Sequence, residues 1–381
     1  MSGPLSGMTV IELQGIGPAP FCGMVLSDMG ADVIRIDRAS NVPDDAPDEP
    51  PVGPLNRGRR SIGVDLKSPA GVDLVLTLIG EADALIEGFR PGVMERLGLG
   101  PDVCLARNPR LVYGRMTGWG QTGPYGQMAG HDINYISLAG CLAHIGTDPD
   151  APPTVPLNLI GDFGGGGMLL AVGVLGALVE AGRSGQGQTV DAAMVDGAAM
   201  LMASFHGVNH LDALRPRGRN QIDGASHYYG VYRCADGEYV SVGSIEPQFY
   251  AELLRLTGVE GAEWEAQRYK GGWPERRDEM AAVFASKSRD EWCKIMEGTD
   301  VCFAPVLTIP EAYEHPQNVE RDTFVEVAGV RQPAPAPRFD RTPSVVSGPP
   351  AHPGAHTDEI LREAGMGEEE LGRLRAEGAI K

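Results

Sequence analysis

No two of the six cysteines form a C-x-x-C pair. Cys22, Cys104, Cys141, Cys234, Cys293 and Cys302 are scattered along the chain, so neither a disulfide framework nor a zinc site is signalled. Positive charge is scarce: 32 Lys and Arg stand against 51 Asp and Glu, a formal net charge of -19. General nucleic-acid binding needs a basic footprint, so no nucleic-acid partner is expected. An anionic ligand on a local basic patch remains compatible with that balance. The N-terminus, Met1 to Leu5, has no basic region ahead of an apolar run, and no signal peptide is expected. The longest apolar stretch, 168–179, is short and glycine-broken, so no membrane span is expected. The last residues, Gly378 to Lys381, do not match the peroxisomal S-K-L address. No internal repeat is visible. These absences point to a cytoplasmic protein with reduced thiols.

What is present fits a globular protein. Hydrophobic residues make up 42% and charged residues 22% of 381 residues, enough chain for a large core and two domains. Residues 8–13 and 31–37 read as buried strands with a helix over 19–29 between them, a βαβ unit with a right-handed crossover. Residues 61–66, 84–87 and 111–116 read as further strands, and Ser68-Pro69 as a helix start. The repeated β-α-β spacing predicts an α/β fold with a Rossmann-like, doubly wound parallel sheet in a large domain over 1–200. A linker helix region is expected over 201–224, with 190–211 helical. A smaller α+β domain is expected over 225–325, with strands between His227 and Ser244 and helices near 247–257, 275–287 and 289–298. Residues 326–381 are expected to hold a proline-rich strap (331–354) and two C-terminal helices returning to the large domain.

Gly15-Ile16-Gly17 follows the first strand, and Asp37 ends the second, which approaches a dinucleotide fingerprint. Pro20 takes the third glycine position, where helix must pack closely on strand, so NAD binding is disfavoured. Arg38, Arg57, Arg59, Arg60 and Lys67 gather cations near strand ends, a pattern that suits phosphate oxygens or merely solvated loops.

Gly130-His131-Asp132 stands at an expected helix start, and Gly161-Asp162-Phe163 precedes four glycines at another. A helix N-terminus disfavours the protonated imidazole, which leaves His131 able to act as a base. Asp162 reads equally as an N-cap, and Asp132 as a cap of its own helix. The run Gly164–Gly167 is a costly helix start, so something is expected to approach its backbone, and its amides are candidates to hold an oxyanion. Glu87 and Glu246, each beside a strand end, are candidate partners for the two bases or solvated surface groups.

Together these blocks resemble the α-methylacyl-CoA racemases of the family III CoA-transferase superfamily. The resemblance runs through 30–35 (GADVIR), 56–61 (NRGRRS), 87–93 (EGFRPGV), 108–113 (NPRLVY), 118–124 (GWGQTGP) and 187–194 (GQTVDAAM), nearly the whole chain. The segment Gly130 to Tyr135 is the part that points to the racemase branch, since transferases usually carry another residue at the place of His131. The resemblance implies an interlocked homodimer acting on an acyl-CoA substrate, with no metal and no cofactor beyond the CoA of the substrate. It implies that His131 and Asp162 are the two bases, that Glu87 pairs with His131 and a partner chain's Glu246 with Asp162, and that Asp132 assists. Arg38, Arg59, Arg60, Lys67, Arg90, Arg96 and Tyr135 become candidates for CoA contacts. The implied reaction inverts a 2-methyl-bearing α-carbon by two-base proton transfer through an enolate. The alternative is a CoA-transferase with Asp162 as nucleophile.

Overall fold

A computed structural model describes residues 2–45 and 47–381. The chain divides into two compact units. One comprises residues through Ala139, Leu157–Leu201 and Val319–Lys381; the other comprises Gly140–Pro156 and Met202–Asn318. The small unit therefore takes in a segment, 140–156, that the sequence pattern assigns to the large domain.

The first unit is built on six parallel strands: β1 (Thr9–Leu13), β2 (Asp32–Arg38), β3 (Arg59–Val64), β4 (Ala84–Glu87), β5 (Val112–Thr117) and β6 (Gln188–Ala193), in the order β3-β2-β1-β4-β5-β6. This is the doubly wound order, with its switch point between β1 and β4. Strand residues alternate between two cores, as period-2 geometry requires. Ile11, Leu13, Ile34, Ile36 and Tyr113 face one layer, with α2 (Pro69–Glu81) and the C-terminal helices Thr357–Glu363 and Glu368–Ala376. Val10, Val33, Ile86 and Met116 face the other, with α1 (Pro18–Asp28) and the long helix Leu169–Ser184.

β6 departs from the sequence pattern, which reads 190–211 as helix. Gln188–Ala193 instead pairs in parallel with β5, and helix begins only at Met194. Short apolar stretches such as Ala192–Met194, which crosses from strand to helix, do not distinguish the two by periodicity alone.

An antiparallel pair, Phe324–Val327 with Val330–Pro333, leads into the strap, which continues as extended chain. It stays on the first unit: Gly58 N–H donates to the Gly348 carbonyl at 2.9 Å, and Arg35 to the Ala351 carbonyl at 3.1 Å.

The second unit has a three-stranded antiparallel sheet, Tyr229–Arg233, Tyr239–Gly243 and Phe303–Pro305. Helices Pro247–Thr257, Trp273–Phe284 and Arg289–Met296 cover an aromatic core of Tyr228, Tyr232, Trp264, Trp273, Phe284 and Trp292.

Candidate active site

Parallel strands place all their C-terminal ends on one edge of the sheet, and the loops that leave that edge build the site. A cleft of about 510 Å³ opens there. Gly17, Pro18 and Ala19 after β1 line it, with Gly88 to Pro91 after β4, Met116 to Trp119 at the end of β5, and His131, Tyr135, Asn158 and Asp162. It lies at the switch point of the sheet.

His131 is exposed and stands one residue before the helix Asp132–Leu138, with its backbone N–H donating to Asn134 Oδ1 at 3.1 Å. Asp162 is not an N-cap. It is the fourth residue of a wide, π-type turn, Leu159–Met168, that runs straight into the helix Leu169–Ser184. Such wide turns are frequent at functional sites. The Asp162 carboxylate accepts from Asn158 Nδ2 at 3.0 Å and faces the backbone of Gly17.

Asp132 caps the wide helix rather than its own. Its Oδ2 accepts the Asp162 N–H at 2.7 Å, and the Gly161 amide supports the same carboxylate. The residue is buried, which raises its pKa, while those two amides hold it down. The helix that begins beside His131 is thereby fastened to the one that carries Asp162.

The glycine run is explained by packing, not by an oxyanion. A Cβ on Gly165 would meet the Ala198 backbone nitrogen at 2.7 Å, and one on Gly167 the Pro18 carbonyl at 2.5 Å. The backbone that approaches belongs to the protein itself, and these residues lie inside the helix. The continuous stretch Leu159–Ser184 is long and apolar enough to cross a membrane by length and composition alone. Leu170, Ala171, Val174, Ala177 and Ala181 spend that apolar face on the sheet.

The cationic candidates divide. Arg90 and Tyr135 line the cleft, and the Tyr135 hydroxyl donates to the Gly130 carbonyl. Arg38 is exposed at the end of β2, as are Lys67 after β3 and Arg96 after β4. Arg59 is not a ligand-facing group. Its side chain is fully buried, paired with Glu12 at 2.9 Å and donating to the Pro20 and Leu55 carbonyls. Arg57 is likewise buried against Asp28 at 2.5 Å. Arg60 is held by Asp32 at 2.5 Å and Glu363 at 2.6 Å, which ties the C-terminal helix to the sheet. Strand-start arginines in this chain neutralise carboxylates within the fold. Asp37, the would-be ribose ligand, accepts from Arg35 at 2.7 Å and from Ser61 at 2.6 Å and is buried.

Glu87 is fully buried, and its carboxylate is taken by Arg115 Nε at 3.1 Å and the Phe89 N–H at 2.6 Å. It does not line the cleft, so the structure pairs it with Arg115 rather than with His131. Burial pushes it up to about 7, against the pull of the Phe89 amide and Arg115. Glu246 is exposed and precedes the helix Pro247–Thr257 of the second unit. Sequence reasoning missed Asn158 and Arg115. Arg115 carried a signal: it is the one charged residue in an otherwise uncharged strand. Among the described residues no cluster of three or more His, Cys, Asp or Glu is arranged to hold a metal ion.

The sequence profile of CoA-transferase family III matches residues 5–357. The chain is 44% identical to the α-methylacyl-CoA racemase of Mus musculus over 99% of this chain and 97% of that one. Against the α-methylacyl-CoA racemase of Homo sapiens the identity is also 44%, with the same coverage. A solved structure of a CaiB/BaiF family protein from Brucella suis superposes with a TM-score of 0.79, at 26% identity, over 96% of this chain and 100% of that one.

Proposed function

The chain belongs to CoA-transferase family III, and from that premise we propose that it is an α-methylacyl-CoA racemase, inverting the α-carbon of 2-methyl-branched acyl-CoA thioesters. The observation that carries the reading is the meeting of His131 and Asp162 in one cleft at the sheet's switch point. The 44% identity to two racemases over nearly the whole chain supports it.

In this reading the thioester acidifies the α-hydrogen. One of the two side chains removes it, and the charge moves onto the thioester oxygen as an enolate. The other side chain then delivers a proton to the opposite face. Each direction needs one group protonated and the other not, so the rate has a bell-shaped pH dependence. The chemistry draws on no group beyond the CoA of the substrate. Arg90 in the cleft, and the exposed cations Arg38, Lys67 and Arg96, suit its phosphates, whereas the Tyr135 hydroxyl is already committed to the Gly130 carbonyl.

The proposal includes an interlocked homodimer in which Glu246 of one protomer serves the other's site. Met168, Val172 and Val179, exposed at four- and seven-residue spacing on one long helix, support a covered face. Six free cysteines suit a reducing compartment, so a cytoplasmic location is part of the proposal.

The test separates racemase from transferase. Incubation with a 2-methylacyl-CoA in deuterated water should place deuterium at the α-carbon. Mass spectrometry during turnover with a free acid should find no CoA thioester on Asp162. A trapped thioester without α-exchange would establish the transferase instead.

A further inference from the structure

Arg115 lies in the middle of a buried charge chain that neither base uses. Register sets it between two acids: Arg115 pairs with Glu87 on β4 and with Asp191 on β6. Its Nε donates to Glu87 at 3.1 Å, and its Nη1 reaches Glu95 at 2.9 Å, on the short helix Val93–Arg96. Tyr113 on its own strand lies under the guanidinium at 6.0 Å. Arg115 and Glu87 are almost wholly buried, whereas Glu95 is about half exposed.

What lies between Glu87 and Glu95 decides the meaning of this chain. The intervening loop, Gly88 to Pro91, forms one wall of the cleft and presents Arg90 to it. Glu87 grips the start of the loop through the Phe89 N–H at 2.6 Å, and Gln127 holds its end through the Pro91 carbonyl at 3.1 Å. A single guanidinium therefore fastens the strand before the loop and the helix after it. Removing it would leave the Glu87 carboxylate buried without its counter-charge, which is strongly destabilising for the local arrangement.

We propose that Arg115 is a positioning residue of the racemase site, fixing the Gly88–Pro91 wall and Arg90 against the substrate through Glu87 and Glu95. The inference rests on the acyl-CoA reading of the cleft. Arg115 touches no substrate; it acts through the two carboxylates. Its planar fork engages two partners at once, which lysine cannot reproduce with one point charge.

The experiment compares the parent with Arg115→Met, Arg115→Lys and Glu95→Gln, measuring α-hydrogen exchange of a 2-methylacyl-CoA across pH and binding of free CoA by quenching of tryptophan fluorescence. Arg115→Met should raise KM and weaken CoA binding by about tenfold or more, because small misplacement of positioning groups is costly. It should also move the pH profile, since Glu87 loses its counter-charge, whereas Arg115→Lys should restore the profile but not KM. Glu95→Gln alters an exposed outer link and tests the clamp even where Arg115→Met does not fold; a rise in KM of about threefold is expected. Unchanged KM, CoA binding and pH profile in the folded variants would overturn the proposal. A parent chain that binds CoA but exchanges no α-hydrogen would instead remove the racemase reading.

Discussion

The Asp132 carboxylate accepts the Asp162 backbone N–H at 2.7 Å, so the residue after one candidate base holds the backbone of the other. The spacing of the two bases is thereby set by a short hydrogen bond across two helix starts. Asp132→Ala should cost about 0.5–2 kcal/mol as a lost cap. It should also lower kcat by about a hundredfold, since the bases lose their fixed separation. Thermal unfolding and steady-state kinetics on the same preparation check both. A drop in stability with unchanged kcat would reduce Asp132 to a cap.

Close helix packing depends on Gly197. A Cβ there would lie 1.9 Å from the Gly165 carbonyl oxygen, inside the wide helix that carries Asp162. Gly197→Ala should destabilise the protein by about 1–3 kcal/mol through overpacking. Gly372→Ala, on the C-terminal helix Glu368–Ala376 with open space around it, should be neutral or slightly stabilising. Urea unfolding midpoints for the two variants compare them directly.

Arg59 and Arg90 separate structure from binding. Arg59→Met leaves the buried Glu12 carboxylate unpaired and should cost about 3–5 kcal/mol. Arg90→Ala, exposed at the cleft, should leave stability within about 0.5 kcal/mol. Its KM for acyl-CoA should rise severalfold. The reverse pattern in melting and kinetics would restore Arg59 as a CoA ligand.

Glu87 gives a pH signature. Burial raises its pKa in the fold to about 7, above the ordinary carboxylate value of 4.5. An acid raised on folding contributes stability that is full below the unfolded value and is lost as pH rises through the folded one. Parent stability relative to Glu87→Gln should therefore fall between about pH 4.5 and pH 7 and then level off. Unfolding free energies measured across that window would show a flat difference if Arg115 kept Glu87 ionised throughout.

Much of this was legible in the residues. Apolar-rich runs such as Val10–Leu13 and Val33–Ile36, each broken by one charged residue, signalled buried strands, and their β-α-β spacing pointed to a doubly wound parallel sheet. His131 and Asp162 stood out because each sits beside a glycine at a helix start. β6 was hidden because Val190–Ala193 leads without a break into a helix of similar composition. The wide turn at Leu159–Met168 has no sequence period of its own. The glycine run signalled a close approach correctly, yet only the fold shows that Pro18 and Ala198 make it. Arginine at a strand start reads the same whether it meets a phosphate or a buried Glu12.

The most direct measurement follows each stereoisomer of a 2-methylacyl-CoA in deuterated water with the parent, His131→Ala and Asp162→Asn. The account predicts that the parent inverts the centre with one deuterium gained. Each variant should lose inversion by a factor of about a thousand or more. At least one variant should still exchange the α-hydrogen of one stereoisomer with retention. If His131→Ala inverted both stereoisomers at the parent rate, the two-base account would be contradicted.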